Sequence, residues 1–485
     1  MKTFFTLLIV CICFSQSGHA QELLSLEQCR RLAIENNKSL KMKAKDIDAA
    51  NFTHRAAKTN FLPKLSLAGG YIRNGEQMSL LSNDTKSLLS NMGTSSTQLL
   101  QQAASTNAGL AALLGSIQSP ELESTLNQAG QKLVDEFKTD TRNVYVGAAI
   151  LEQPIYMGGK IRAYNAITKF AERLASTQHD LALQEVILSV DESYWQVVSL
   201  TSKLELAQSY LNLLNTLQSD VTKAKEEGIA TKADVLRVKV KTNSAELMLT
   251  KVEDGLSLSK MVLCQLCGLK LDSKISLSNQ TMTENESKYG IDPQQNLNQI
   301  YAARPEIKGL EYAHRMQVKN VQIVRSDFLP SLSLIGSYYM TNPSVYNGFE
   351  NKLNGDWSIG IMLKMPIWSW REGHFKVQAA KAKADKLNLQ LQDTKEKIAL
   401  QVSQANFKVK EANKLLTMSE ENMKHAVENL RTANLGYKEG VIPMSDLLEA
   451  QTMWLSAKSS VLDAQISCRL THTYLQKANG KLTLK

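Results

Sequence analysis

The sequence predicts a mainly α-helical chain that also carries four β-strands and is built from two structural repeats. Residues 61–67 (FLPKLSL) return as residues 328–334 (FLPSLSL), which indicates a duplication. Residues 160–227 and 374–435 contain neither Gly nor Pro, which indicates two long helices. Four shorter segments alternate apolar with small or polar residues, the pattern of a strand with one apolar face.

Two further landmarks support the duplication because they return in the same order. They are PIY at residues 154–156, repeated as PIW at 366–368, and EGI at 227–229 with Asp234, repeated as EGV at 439–441 with Asp446. Each copy is far longer than a solenoid repeat, so two large units are expected. We place the first structural repeat at residues 21–271, a polar linker in an equatorial region at 272–292, and the second repeat at 293–485.

The first twenty residues have the organisation of a secretory signal peptide. Lys2 supplies the positive end, residues 4–14 are apolar, and residues 18–20 (GHA) form a small-x-small cleavage site. We therefore expect residues 1–20 to be removed. Beyond them, no run approaches the roughly 18 to 20 apolar residues that a membrane helix needs. The exported chain is then either soluble or enters a membrane through β-strands.

Each repeat is expected to run helix, strand, loop, strand, long helix, tight break and helix. Short helices are predicted near residues 26–36 and 40–59, and Pro63 ends helical structure in the first repeat. The helix that follows the second strand of each repeat is the long one, and about 67 residues would span roughly 100 Å. Apolar residues recur along it at steps of three and four, which predicts long antiparallel coiled coils with neighbouring helices.

The four predicted strands lie near residues 65–71, 144–150, 331–340 and 357–367. The first two are separated by an inserted loop at residues 75–140, which is rich in Ser, Leu, Gln and Ala. Alternation of this kind suits the wall of a small membrane β-barrel. Four strands are too few to close a barrel, and an open sheet edge cannot face lipid, so other copies of the chain must supply partners. Three copies would complete a trimeric twelve-stranded barrel, although the sequence also permits two or four.

Charge and side-chain chemistry exclude several classes of function. The formal net charge is +9, but Lys and Arg alternate with Glu and Asp along the helices, which indicates solvated faces and no nucleic-acid partner. The His residues are scattered without metal-ligand spacing, and neither Gly-x-Ser-x-Gly nor a phosphate-binding loop is present. We expect no enzyme activity, no cofactor and no metal site. Cys264 and Cys267 fall on one helix face, which favours a packing role.

Residues 437–450 (YKEGVIPMSDLLEA) and 228–236 (GIATKADVL) resemble the TolC-type outer-membrane efflux proteins, the channels of tripartite efflux and type I secretion systems. The resemblance covers nearly the whole mature chain except residues 75–140. It implies a homotrimer with a barrel in outer-membrane lipid and a long α-helical barrel in the periplasm. It also implies docking to a periplasmic adaptor (membrane fusion) protein, which links the channel to an inner-membrane transporter that exports drugs, metals or other substrates.

The resemblance also implies roles for residues at the helix breaks. The periplasmic aperture would be formed by Asp234, Tyr437, Asp446 and Glu449, and the turns that contact the adaptor would be Gly228, Ile229, Gly440 and Val441. A well-known member of the family has Arg where this chain has Ile442, so the same ion pair cannot latch the aperture. The two aspartates also fit a purely structural role, because Thr231-x-x-Asp234 is a capping-box pattern and Pro443 with Asp446 marks a helix start.

A second function stays open at this point. The chain could be a passive porin or a surface receptor on a helical stalk, with residues 75–140 binding a ligand outside the cell. We expect this insertion to cap or narrow the external mouth, although a disordered loop is equally compatible with its composition. Dependence on an adaptor separates the two functions.

Overall fold

The computed structural model describes residues 22–75, 81–106, 120–137, 140–278, 296–344 and 351–482. The predicted signal peptide and most of the predicted linker lie outside these residues. The chain divides into two compact units. The helical unit comprises residues 1–54, 166–320 and 378–485, and the sheet unit comprises residues 55–165 and 321–377.

Four long helices dominate the helical unit. They are α6 (Lys160–Glu226), α7 (Lys232–Cys267), α10 (Glu372–Lys438) and α11 (Met444–Ala478). The first few residues of α6 and of α10 belong to the sheet unit. Both α6 and α10 contain 67 residues, which corresponds to about 100 Å. The predicted long helices are confirmed, because uninterrupted stretches without Gly or Pro form single helices.

Shorter helices complete this part of the chain, and the bounds of the first two agree closely with the predicted residues 26–36 and 40–59. They are α1 (Leu26–Asn36), α2 (Lys38–Lys58), α8 (Leu297–Ala303) and α9 (Pro305–Ser326). The parallel strands β1 (Glu22–Leu24) and β4 (Ile275–Leu277) pair over three residues. Around them lies a core that includes Val190, Tyr194 and Leu263, all fully buried. Burial of such side chains contributes about 1.5–3 kcal/mol each.

A buried ion pair anchors α1 within the helical unit. The guanidinium of Arg30 donates to both carboxylate oxygens of Asp191 on α6, with Nε–Oδ1 and Nη2–Oδ2 distances of 2.7 and 2.5 Å. The Thr473 hydroxyl of α11 donates to the same carboxylate at 3.4 Å. Asp191 is 0 % exposed, and side chains from two other helices satisfy its buried charge.

The sheet unit contains a four-stranded antiparallel sheet in the order β2-β3-β5-β6. The strands are β2 (Lys64–Arg73), β3 (Asn143–Met157), β5 (Ser331–Asn342) and β6 (Asn354–Lys364). All four were predicted. The prediction that the last strand continues to residue 367 is wrong, because it ends at Lys364. Pro366 has no backbone N–H for a further ladder bond.

The insertion is largely helical where the structure describes it, and the prediction of a simple loop is wrong there. It contains α3 (Asn83–Ser90), α4 (Met92–Thr106) and α5 (Pro120–Glu136). Asn127 on α5 ties the helices together, because its side-chain oxygen accepts from the N–H groups of Gly93 and Thr94 at 2.8 and 3.2 Å. Its role at an external mouth stays a prediction.

Among the helices that the structure describes, none is both long enough and apolar enough to cross a membrane.

Candidate functional site

Two tight turns at the ends of the long helices form the core of the candidate site. One joins α6 to α7 and the other joins α10 to α11. Each contains a glycine in the left-handed region, Gly228 with φ 79° and Gly440 with φ 70°. The following N–H groups close the two turns identically, since Ile229 donates to Ala224 and Val441 donates to Gly436, both at 2.8 Å. Glycine is favoured here because it adopts a left-handed helix end without a Cβ clash.

Each turn exposes one aliphatic side chain. Ile229 is 78 % exposed and Val441 is 76 % exposed, and each directly follows the left-handed glycine. Below the turns, one core cluster includes Val221, Val238 and Leu447, so the two helical hairpins pack against each other. The site therefore has two similar exposed apolar turns, which we call the tips, and both lie above one shared core cluster.

Asp234 lies in the first turn of α7 and forms the predicted capping box. Its carboxylate accepts from the Thr231 hydroxyl at 2.5 Å and from the Thr231 N–H at 3.1 Å, while its own N–H donates to the Thr231 hydroxyl at 3.2 Å. The two hydrogen bonds that the carboxylate accepts from Thr231, and to a lesser degree the charge of Arg237, hold the pKa of Asp234 below its usual value against the opposing effect of burial. Arg237 Nη1 lies 3.6 Å from Asp234 Oδ1.

Asp446 occupies the corresponding place in the second turn, but its surroundings differ. The N-cap of α11 is Pro443, whose side chain cannot accept a hydrogen bond, and the Asp446 N–H donates to the Pro443 carbonyl at 3.1 Å. The exposed carboxylate of Asp446 accepts from the Ser445 hydroxyl at 2.9 Å. The sequence predicted two similar acidic helix starts, but only the first has a reciprocal capping box.

Tyr437 is brought close to Asp234 although it belongs to the other hairpin. It is half-buried against the core cluster of the tips. Burial raises the pKa of its hydroxyl, and the charges of Asp234 and Asp220 raise it further. Ile442 also packs on this cluster. Ile442, which stands where a well-known member of the family has Arg, therefore packs as an apolar side chain beneath the turn.

Glu449 lies farther along α11, beside a groove between α7 and α11 of about 690 Å³. The apolar residues that line the groove are Ala233, Leu236, Val240 and Leu448, and the polar ones are Arg237, Lys241, Ser445, Glu449 and Thr452. Sequence reasoning missed Arg237 and Lys241. The three-residue spacing of Asp234 and Arg237 on a helix was a usable signal for Arg237. Lys241 gave no such signal, because its 3.4 Å contact with Thr452 joins segments that are distant in the sequence.

Within the described residues, no group of three or more His, Cys, Asp or Glu side chains could hold a metal ion. The site offers apolar contacts and carboxylates.

Comparison with known proteins shows which family the chain resembles. Residues 296–481 match the model of the family described as Outer membrane efflux protein. The chain resembles this family in sequence and in fold. The resemblance drawn from residues 228–236 and 437–450 is thereby confirmed, as is the predicted localisation at the cell outer membrane with the helical part in the periplasm. The family consists of transport proteins and not of enzymes.

Curated relatives match over most of their length. Nodulation protein T of Rhizobium leguminosarum bv. trifolii is 24% identical over 67% of this chain and 68% of its own. Toxin and drug export protein A of Aggregatibacter actinomycetemcomitans is 20% identical over 70% of this chain and 76% of its own. Alkaline protease secretion protein AprF of Pseudomonas aeruginosa is 24% identical over 59% and 60%, respectively.

Solved structures share the fold at low sequence identity. A crystal structure of CusC aligns over 96% of this chain and 95% of its own, with a TM-score of 0.73 and 14% identity. The outer membrane protein VceC from Vibrio cholerae aligns over 94% and 96%, with a TM-score of 0.70 and 16% identity. The mostly helical fold with one small antiparallel sheet is thus the fold of these channels.

Proposed function

We propose that the chain is the outer-membrane channel of an export system, and that it forms a homotrimeric duct coupled to an inner-membrane transporter by a periplasmic adaptor protein. The observation that carries this proposal is the pair of matched tips, where Ile229 and Val441 are exposed beside the left-handed Gly228 and Gly440. Exposed aliphatic side chains held on rigid turns are suited to docking another protein.

The open sheet supports assembly of several copies. Strands β2 and β6 lie at the two edges of the four-stranded sheet. All ten residues of β2 are exposed, as are Trp357, Ile359 and Ile361 of β6. Apolar strands with unpaired backbone groups are not stable in lipid unless a neighbour pairs with them. Three copies would join twelve strands into a closed barrel, an even number typical of outer-membrane proteins.

An apolar stripe on α10 supports the same assembly in the helical unit. Leu389, Leu400, Phe407 and Met418 are spaced by eleven, seven and eleven residues, so they fall on one face of the helix. All four are exposed in the single chain. Such a stripe requires a partner, and we propose that a second copy of the chain covers it to complete an α-helical barrel.

The acidic residues of the tips suit an aperture that prefers cations. In a trimer, Asp234 and Asp446 would place six carboxylates around one opening, and Tyr437 and Glu449 would lie beside them. We propose that Asp446 and Glu449 supply the more mobile charges. Asp234 is held by Thr231, which ties its carboxylate to the helix end.

The two-repeat organisation is part of the proposal. Its support is the equal length of α6 and α10 and the near-equal length of α7 and α11, at 36 and 35 residues. We propose that residues 21–271 and 293–485 are the two repeats and that residues 272–292 connect them.

The cargo is proposed by analogy with the relatives, which are named for toxin and drug export and for alkaline protease secretion. We propose that this chain exports drugs, metals or other substrates from the periplasm or directly from a transporter.

Paired substitutions at the tips test the proposal. We expect I229D/V441D to raise cellular retention of a fluorescent efflux substrate as strongly as deletion of the gene does, with normal trimer on semi-denaturing gels. The matched control is L271D, at an exposed position of the same unit away from the tips, which should leave retention at the wild-type level.

A contrary result would support the rival function. If I229D/V441D left retention unchanged while deletion reduced uptake of small hydrophilic solutes, the chain would act as a porin or receptor on a helical stalk without an adaptor.

A further inference from the structure

Three thiols from two distant segments meet in the core of the helical unit. Cys29 on α1 and Cys264 and Cys267 on α7 are each 0 % exposed. Cys267 Sγ lies 3.6 Å from the Cys29 carbonyl oxygen, and all three cysteines belong to the same buried core cluster. Cys264 lies one turn earlier on the same face of α7, with its Sγ 4.0 Å from the carbonyl oxygen of Ser273.

The fourth thiol has a different environment. Cys468 on α11 is buried in a separate cluster with Ala412, Leu416 and Ala464. Its Sγ lies 3.8 Å from the Asn413 side-chain oxygen. Cys468 is therefore a buried cysteine in the same unit that packs in a cluster without the other three thiols, and it serves as an internal control.

The neighbourhood of Cys29 and Cys267 fixes their approach. Asn36, at the end of α1, donates from its side-chain amide to the Cys267 carbonyl at 3.3 Å. Two turns earlier, Arg30 binds Asp191. Helix α1 is thus held at two points, and the Cys267 thiol lies against the Cys29 backbone although 238 positions separate the two residues in the chain.

We propose that Cys29 and Cys267 are a modification site, at which the exported protein acquires an intramolecular disulfide that links α1 to the end of α7. The periplasm is kept oxidising, and the placement of the Cys267 thiol against Cys29 allows the folded core to accommodate a disulfide between them. The proposal rests on the localisation and does not require the proposed export function.

The chemistry balances with a protein disulfide oxidant of the periplasm. One cysteine thiolate attacks the oxidant's disulfide, and a mixed disulfide forms as one oxidant thiol leaves. The second cysteine thiolate then attacks the mixed disulfide, so the Cys29–Cys267 bond forms and the second oxidant thiol leaves. Two electrons pass to the oxidant, and its two thiols take up two protons.

Burial determines when the bond forms. A large oxidant cannot reach thiols that are 0 % exposed, so the exchange must occur before α1 docks on α7. Once docked, the bond is shielded from reductants in solution. The disulfide would therefore be a permanent clamp on the amino-terminal helix.

Peptide mapping tests the proposal directly. The protein is purified from outer membranes, unfolded in the presence of N-ethylmaleimide without reductant, digested and analysed by mass spectrometry. We expect peptides containing Cys29 and Cys267 to be joined, and Cys264 and Cys468 to carry the alkylating group. Alkylation of Cys29, Cys264, Cys267 and Cys468 alike, or joining of Cys264 to either neighbour, would overturn the proposal.

A stability measurement provides a second readout. Protein that is unfolded, reduced and refolded in the presence of reductant should show an apparent Tm at least about 5 °C below that of untreated protein, because the clamp closes a long loop. The C29A/C267A variant should lose this difference between treated and untreated samples, whereas C468A should retain it. A difference that persists in C29A/C267A contradicts the disulfide, while efflux assays on the same variants report separately on the proposed function.

Discussion

The Thr231 hydroxyl donates to the Asp234 carboxylate at 2.5 Å, whereas Pro443, the N-cap of the other tip helix, has no side-chain cap. The two tips are alike in their glycine turns and unlike in how their helices begin. This difference gives each tip a distinct energetic response to substitution.

We expect T231A to destabilise the first turn of α7 by about 1 kcal/mol, because the capping hydrogen bonds are lost. Amide hydrogen exchange at Asp234 and Val235 measures this opening locally. The matched control is S445A at the second tip, which removes a hydroxyl bound to Asp446 and not a cap. Its effect should stay within about 0.5 kcal/mol. Equal effects at both tips would refute the difference between them.

The capping box should weaken in acid. The pKa of Asp234 is lower in the folded protein than its reference value of 3.8, so its stabilising effect is fully present above that value. The effect is lost as the pH falls through the lowered folded pKa. Exchange protection factors at the start of α7 should therefore be constant between about pH 7 and 5 and decline below about pH 4. The D234N variant should show no such decline, and an identical decline in D234N would assign the effect to other groups.

Glycine should be required at both turns for conformational reasons. G228A and G440A should each cost about 1 kcal/mol, because alanine is strained in the left-handed region. G255A is the control within α7, where an added Cβ meets Leu200 at an ordinary 3.8 Å. It should stabilise the helix by up to about 1 kcal/mol. The apparent Tm by circular dichroism measures all three, and a stabilising G228A would contradict the argument.

In the sheet unit, two neighbouring residues that are not glycine also adopt the left-handed backbone conformation. Trp370 and Arg371 have φ values of 49° and 64°, and Gly158 and Gly159 have 60° and 84°. R371A keeps the strain and loses the cation–π contact with Phe375, whereas R371G loses the contact but relieves the strain. We expect R371G to be more stable than R371A by about 1 kcal/mol.

Gly159 tests the same backbone strain in the opposite direction, because here a left-handed glycine is replaced by alanine. An added Cβ there meets nothing within 4 Å, so G159A reports strain without crowding. We expect a loss of about 1 kcal/mol in thermal unfolding. A neutral G159A would mean that the backbone relaxes away from the left-handed region.

Breaking the Arg30–Asp191 pair should be severe, because the remaining carboxylate would be buried without its charge partner. R30M should destabilise the helical unit by about 3–5 kcal/mol, and the double variant R30M/D191L should recover much of that loss. Thermal unfolding of the purified protein measures both. A double variant as unstable as R30M would show that Asp191 matters for more than charge neutralisation.

Periodicity predicted the long helices and the strands well, because both patterns are local. The helices of the insertion were missed, although they are amphipathic, because the segment between the two strands was treated as one loop; contacts such as those of Asn127 hold these helices together. The end of β6 was misplaced because apolar residues alternate past Lys364 while Pro366 interrupts the ladder.

The candidate site was only partly accessible from sequence. The glycine turns and the capping box follow from short motifs. The proximity of Tyr437 to Asp234 depends on two hairpins packing together, as does the groove beside Glu449. The meeting of Cys29 with Cys267 depends on the docking of α1, which no local pattern encodes.

The sheet has an even number of antiparallel strands, so its outermost strands, β2 and β6, run in opposite directions. When β2 of one subunit joins β6 of the next, the seam is antiparallel like every other ladder, and both subunits point the same way. A two-fold contact between two β2 strands would turn one subunit upside down. In the assembly that we propose, growth from this sheet is therefore head-to-tail, and strand parity alone would give the finished barrel a single direction across the bilayer.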